Sequence, residues 1–166
     1  MNKEKFAKEL LLIAKDLAAE WAPVRKDVDV GKRNVEMLNS LTTYAPGLGK
    51  ELRARVSKLL AREGYEVSPR ALTREWSQYL GYIAPETNNN KYHYYAVYSF
   101  DDPNGETLYV AANCSGRIGI IERAYDLTEK YLGGPATSLA RAISAAEKHL
   151  KTKTSKGYEK VKMTRG

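Results

Sequence analysis

The chain has few of the residues that disulfides and metal sites require. Its 166 residues include one cysteine and two histidines. A single cysteine excludes an internal disulfide and is typical of a reducing compartment, so we expect a cytoplasmic protein. Structural zinc sites take four Cys or His ligands, and this set is too small to supply them. We therefore predict no metal ion and no cofactor.

Long apolar runs are also missing. No stretch approaches the roughly 20 apolar residues that a membrane-spanning helix needs. The apolar residues Leu10 to Ala14 lie among lysines and acids, without the layout of a secretory leader. We expect a protein that does not bind membranes.

Motifs for catalysis are absent from the sequence as well. Neither a phosphate loop nor a dinucleotide fingerprint occurs. Cys114 is the only thiol, and His93 or His149 would have to act as its base. No local signature supports such a pair, and a lone cysteine at a strand end is more often a small buried hydrophobe. We predict that the protein is not an enzyme.

What the chain does have is positive charge, and that charge is concentrated near the C-terminus. The net charge is +7. Residues 148–166 hold seven Lys or Arg and only one Glu. Such a segment attracts polyanions, nucleic acid first and an anionic membrane surface second. The alternative is a solvated tail that only aids solubility.

The first half of the chain has the apolar spacing of helices. We predict helices over Lys3–Trp21, residues 28–41 and Lys50–Glu63, and a fourth from Ser68-Pro69 to about residue 81. Together they indicate a helical bundle over residues 1–84, with a polar linker at 85–90. The Lys3–Trp21 stripe needs an apolar partner, either its own domain or another protein. The Lys50–Glu63 helix exposes Arg53 and Lys58, which suit a phosphate backbone, although a solvated face is the more frequent explanation.

After the linker the period of the pattern changes from 3.6 to 2. Alternation predicts strands over Tyr92–Phe100, Leu108–Cys114 and Ile118–Tyr125, with a hairpin turn at Asp101–Gly105. A loop is predicted at Asp126–Gly134, and Gly134-Pro135 would open a last helix with Leu139, Ile143, Ala146 and Leu150 inward. The fold class is therefore α+β: a helical bundle, then a small antiparallel sheet in residues 91–166 with one packed C-terminal helix. Tyr92, Tyr94, Tyr95 and Tyr98 could stack on bases, but the sheet must bury one set of them.

The motif Ser115-Gly116-Arg117-Ile118-Gly119 is the most informative in the chain. Two glycines flank an arginine between predicted strands, and a guanidinium suits a phosphate. With the aromatic strand Lys91–Tyr95 and the later Lys156-Gly157-Tyr158, the chain resembles the WGR domain family over about residues 90–162. Ser115 stands where that family has tryptophan, so the tryptophan's role carries over to no residue. The resemblance implies a small sheet with one helix, and DNA binding in which Arg117 contacts either phosphate or a partner.

Two functions follow as hypotheses. The first is a non-enzymatic nucleic-acid-binding protein, with DNA favoured over RNA, whose phosphate contacts are Arg117, Lys151, Lys153, Lys156, Arg53 and Lys58. The second is a structural or protein-interaction module, of phage or bacterial type, that keeps the WGR fold without binding nucleic acid. Its partner would dock on the N-terminal helix. A guanidinium of Arg117 buried in an ion pair and directed away from the basic segment would contradict the first hypothesis.

Overall fold

The fold is a five-stranded antiparallel sheet with a helix packed on each face. A computed structural model describes residues 3–7, 10, 47–82, 90–117 and 120–161. The strand order is β4-β3-β2-β1-β5, where the strands are β1 (Thr73–Tyr82), β2 (Lys91–Asp101), β3 (Thr107–Arg117), β4 (Arg123–Asp126) and β5 (Glu159–Val161). The helices are a basic helix over residues 47–62, a short helix (Leu127–Leu132) and a C-terminal helix (Leu139–Thr154). The α+β class with an antiparallel sheet is therefore confirmed.

The hairpin of β2 and β3, which the alternation predicted, lies in the middle of the sheet. The two strands pair along their whole length, from Lys91 opposite Arg117 to Asp101 opposite Thr107. Asp102 closes the predicted turn, because its Oδ1 accepts hydrogen bonds from the backbone N–H groups of Asn104 and Glu106 at 2.9 and 2.8 Å. Successive side chains along each strand then point to opposite faces of the sheet.

The two faces of the sheet carry separate apolar clusters. Tyr94, Tyr98 and Phe100 of β2 pack with Leu52 and Leu60 of the basic helix. Tyr95 and Val97 lie on the other face with a second cluster from the C-terminal helix, Ala142, Ala145, Ala146 and Leu150. Tyr92, Tyr94, Tyr95 and Tyr98 are all fully buried. Burial therefore removes them as platforms for stacking on bases.

The fourth predicted helix is wrong. Only Pro69–Ala71 forms a helical turn, of the 3₁₀ type, and the chain then continues as strand β1. Leu72, Trp76 and Leu80 are four residues apart, and that spacing is a multiple of the strand period as well as close to the helix period. A bulge between Arg74 and Trp76 also shifts the alternation.

The sheet crosses the boundary predicted at residues 85–90. Strand β1, before that boundary, pairs with β2 after it and with β5 at residues 159–161. Phe6 and Leu10 are buried in the same cluster as Tyr94, so this part of the N-terminal stripe is covered within the chain. The described strands on either side of that boundary thus belong to one sheet. The remainder of the Lys3–Trp21 helix, the 28–41 helix and residues 83–89 lie outside the described residues.

Three boundaries in the second half also differ from the prediction. The third strand is confined to Arg123–Asp126, with residues 118 and 119 outside the described part. The predicted loop at 126–134 contains the short helix, which is capped by the Asp126 carboxylate at the N–H of Glu129, 2.9 Å away. The C-terminal helix begins after Ser138, its N-cap, rather than at Gly134-Pro135. Much of the basic segment is therefore folded, as the end of this helix and as β5.

Candidate functional site

A cavity of about 430 Å³ opens between the end of the central hairpin and the last turns of the C-terminal helix. We call it the basic groove. Its charged lining is Lys91, Arg123, Lys130 and Lys153, with Glu122 as the one carboxylate among the described lining residues. Four cations against one anion make this groove a place of high positive potential.

Strand register explains why cations from distant parts of the sequence meet here. Lys91 lies opposite Arg117, and two residues further along the sheet His93 lies opposite Ser115. Ser115 in turn lies opposite Arg123 on β4. Residues that face each other across antiparallel strands point to the same side of the sheet. This side is the one that the C-terminal helix covers, and the helix adds His149 and Lys153 one turn apart.

The cations of the groove repel one another. Partial burial, followed by the charges of Lys156, Lys130 and Arg123, lowers the pKa of Lys153 from its ordinary value. Each of these positive charges disfavours the ionised form of its neighbours, and an anion that binds between them offsets this repulsion. The groove is therefore electrostatically prepared for a negatively charged ligand.

Both histidines of the chain lie in this groove. Burial, with the Lys153 ammonium as the next cause, lowers the pKa of His93 to about 4 and that of His149 to about 4. Both imidazoles are therefore neutral at pH 7. Their rings lie 5.9 Å apart between centroids, so protonation of one also opposes protonation of the other.

Hydrogen bonds orient the two imidazoles. Asn113 Nδ2 lies 3.2 Å from Nδ1 of His93, and since an amide nitrogen only donates, this Nδ1 accepts. The Tyr95 hydroxyl lies 2.7 Å from Nδ1 of His149. Burial raises the pKa of Tyr95, which keeps its hydroxyl protonated and able to donate to that nitrogen or to accept from it, according to the tautomer of His149. In a ring whose Nδ1 accepts, the proton of the neutral imidazole is on Nε2.

Arg117 lies beside the groove rather than in its lining. It is the last residue of β3, opposite Lys91, and its Nε is 3.3 Å from Oε1 of Glu122. The two side chains are 63% and 44% exposed. Exposed ion pairs of this kind contribute only about 0–1 kcal/mol to the free energy of unfolding, so an anion that binds more strongly can replace the carboxylate. The buried ion pair that would have contradicted the first hypothesis does not occur at Arg117.

The other predicted contacts fall into two groups. Lys153 lines the groove, and the charge of Lys156 lowers the pKa of both histidines and of Lys153, which places it close by. Lys151 is two residues from both His149 and Lys153. This spacing places it about 200° around the helix axis from each, which is the opposite side of the helix.

Arg53 and Lys58 are separated from the groove by the sheet. Both belong to the basic helix on the opposite face. The Arg53 guanidinium lies 5.6 Å from the centre of the Tyr98 ring, where it packs on the core, and Lys58 is exposed. The structure therefore does not bring the six predicted contacts together in one site.

Sequence reasoning missed Lys91, Arg123, Lys130 and Tyr125. Lys91 and Arg123 become neighbours only through strand register, which local patterns do not give. Lys130 belongs to the short helix, and the signals for that helix were present: Asp126 followed by Glu129, then Gly133, whose φ of 81° suits a helix end. Tyr125 is 45% exposed and lines the groove.

Cys114 does not contribute to this site. It is fully buried on the face of the basic helix, and burial raises the pKa of its thiol. A thiol in that state is a poor nucleophile. Within the described residues, no group of three or more His, Cys, Asp or Glu side chains is arranged to hold a metal ion.

Comparison of the chain with protein families, with curated proteins and with solved structures found no match. The resemblance to WGR domains accordingly stays a prediction from the quoted motifs. No helix in the described part of the chain combines the length and apolar character needed to cross a membrane.

Proposed function

We propose that the basic groove binds the phosphate groups of nucleic acid, with DNA as the form that the WGR resemblance favours. The observation that carries this proposal is the convergence of Lys91, Arg123, Lys130 and Lys153 on one groove, where the described part of the chain contributes a single carboxylate. Like charges that lie close together in a folded protein repel one another and lower its free energy of unfolding. A polyanion that neutralises them relieves this repulsion and therefore binds more tightly.

The described cations extend beyond a single small site. Arg117 lies beside the groove at the end of the hairpin, and Lys156 lies close to Lys153, just after the C-terminal helix. On the other side, the Nζ atoms of Lys130 and Lys148 lie 5.2 and 5.0 Å from the centre of the Tyr131 ring. Several cations in and around the groove suit a polymer of phosphates better than an isolated anion, because more than one phosphate can then be neutralised.

Removing one groove cation should weaken DNA binding and reduce its salt dependence. For wild-type protein we expect log K to fall linearly with log salt concentration. Lys153→Gln should lower the magnitude of that slope by roughly 0.7 for single-stranded DNA or 0.9 for a duplex, the contribution of one phosphate contact. Fluorescence anisotropy of a labelled oligonucleotide between about 50 and 200 mM salt measures the slope.

Lys58→Gln is the matched control for this experiment. It removes the same charge from an exposed lysine on the opposite face of the sheet, outside the groove. We expect its slope to equal that of the wild type. Equal losses in both variants would show that net charge alone governs binding, and salt-insensitive binding by the wild type would contradict the proposal.

Glu122→Gln should have the opposite effect on affinity. The Glu122 carboxylate is the acidic group that lines the groove, and it also pairs with Arg117. Its neutral isostere leaves the shape unchanged, removes a repulsive charge and releases the guanidinium. We expect binding to tighten by about 2–5-fold at low salt, since each exposed charge interaction contributes up to about 1 kcal/mol. Weaker binding in the same anisotropy titration would contradict this assignment.

A further inference from the structure

An exposed aromatic ring lies inside the basic groove. Tyr125 is 45% exposed and lies on the edge strand β4, opposite Asn113 of β3. The four tyrosines of β2, in contrast, are fully buried. The ring is thus not needed to fill either apolar cluster, and its position is at the wall of a cavity lined by cations.

The side chains around this ring include uncharged polar groups as well as the cations that phosphate contacts require. Arg123 precedes Tyr125 by two residues on the same strand, so both side chains point to the same face about 7 Å apart. His93 and His149, which are neutral at pH 7, supply uncharged polar side chains in the same cavity. A cation, a ring face and uncharged polar groups match the three parts of a nucleotide: its phosphate, its base plane and its base edge.

We infer that the basic groove holds single-stranded nucleic acid, with one unpaired base stacked on the ring of Tyr125. This inference rests on the proposed function and names the form of nucleic acid. A cavity of about 430 Å³ is large enough for one nucleotide but cannot admit a duplex. A duplex also keeps its base faces inside its own stack, where the ring of Tyr125 could not reach them.

Three labelled probes of equal length test the inference: a thymidine oligonucleotide, a strand with the same number of phosphates but abasic residues, and a duplex, which carries twice as many phosphates. At one fixed salt concentration, the wild type should bind the thymidine strand most tightly. Tyr125→Leu should weaken binding of that strand by about 5–100-fold, the range expected for losing one stacked base, and leave binding of the abasic strand unchanged. Tyr125→Phe keeps the ring and should bind like the wild type.

The outcomes separate this inference from the proposed function. If the wild type bound the thymidine strand, the abasic strand and the duplex equally well, the single-strand inference would be overturned. Salt-dependent binding of these probes would still support phosphate contacts. The single-strand inference would also be overturned if Tyr125→Leu, folded by circular dichroism, bound the thymidine strand like the wild type. If no probe bound in a salt-dependent manner, the proposed function would fail and the inference with it.

Discussion

Gly116→Ala is expected to lower the free energy of unfolding by about 2–4 kcal/mol, the sum of overpacking and one disturbed, partly buried hydrogen bond. A Cβ atom at Gly116 would lie 2.6 Å from the backbone oxygen of Ile120 and 3.0 Å from the backbone nitrogen of Glu122. Neither atom can move freely. The Tyr92 hydroxyl donates to that Ile120 oxygen at 2.8 Å, and the Glu122 N–H donates to the Ser115 oxygen at 2.9 Å.

The substitution should also disturb the groove. Gly116 is part of its lining, and the segment that it would displace leads directly into Arg123. Chemical denaturation of the variant and of the wild type measures the effect. Gly47→Ala is the control, because Gly47 is helical and exposed, and an added Cβ there meets nothing within 4 Å. We expect its stability to be unchanged or slightly higher; equal stability of Gly116→Ala and wild type would show that the close approach at Gly116 is wrong.

Acidification should tighten nucleic-acid binding as the pH falls from about 6.5 towards the histidine pKa values of about 4. Without ligand, His93 and His149 each have a pKa lowered to about 4, with burial as the main cause and Lys153 as the next. A phosphate bound in the groove opposes the charge of Lys153 and raises both pKa values. The complex then takes up protons that the free protein does not hold, and each proton taken up increases log K by up to one per pH unit.

The stability of the free protein has the opposite dependence on pH. A pKa that is lower in the folded state than in the unfolded state stabilises the fold above the unfolded value of about 6.5. That contribution is lost as the pH falls towards about 4. Affinity should therefore be measured in the upper part of this range. His149→Gln is expected to reduce the slope of log K against pH by up to one, and a slope that is the same in both proteins would contradict a role for this histidine.

The central hairpin could be predicted from the sequence because its signals are local. Alternation over Tyr92–Phe100 and the turn residues at Asp101–Gly105 each specify structure without distant partners. Strand β1 could not be predicted in this way, because the spacing of Leu72, Trp76 and Leu80 fits a helix as well as a strand. The pairing of β1 with β2 favours the strand over the helix. Such pairing is a long-range interaction, which the secondary-structure propensities of the residues do not include.

The site was predicted only in part for the same reason. Lys153 was identified because it lies in a basic segment, which composition reveals. Lys91 and Arg123 have ordinary surroundings in the sequence, and they join the groove through their register with Arg117 and Ser115. Arg53 and Lys58 were grouped with the others by charge alone, although the sheet lies between them and the groove. Charge can be counted from a sequence, but its location on one face depends on the fold.

The two histidines provide the most direct test of the basic groove, since the chain has only two and both line it. The measurement is an NMR titration of their side-chain resonances against pH, with and without a saturating thymidine oligonucleotide. Binding in the groove predicts that both pKa values rise from near 4 when the oligonucleotide is bound. If the oligonucleotide binds and both values stay unchanged, it occupies another surface, and the assignment of the groove as the nucleic-acid site is wrong.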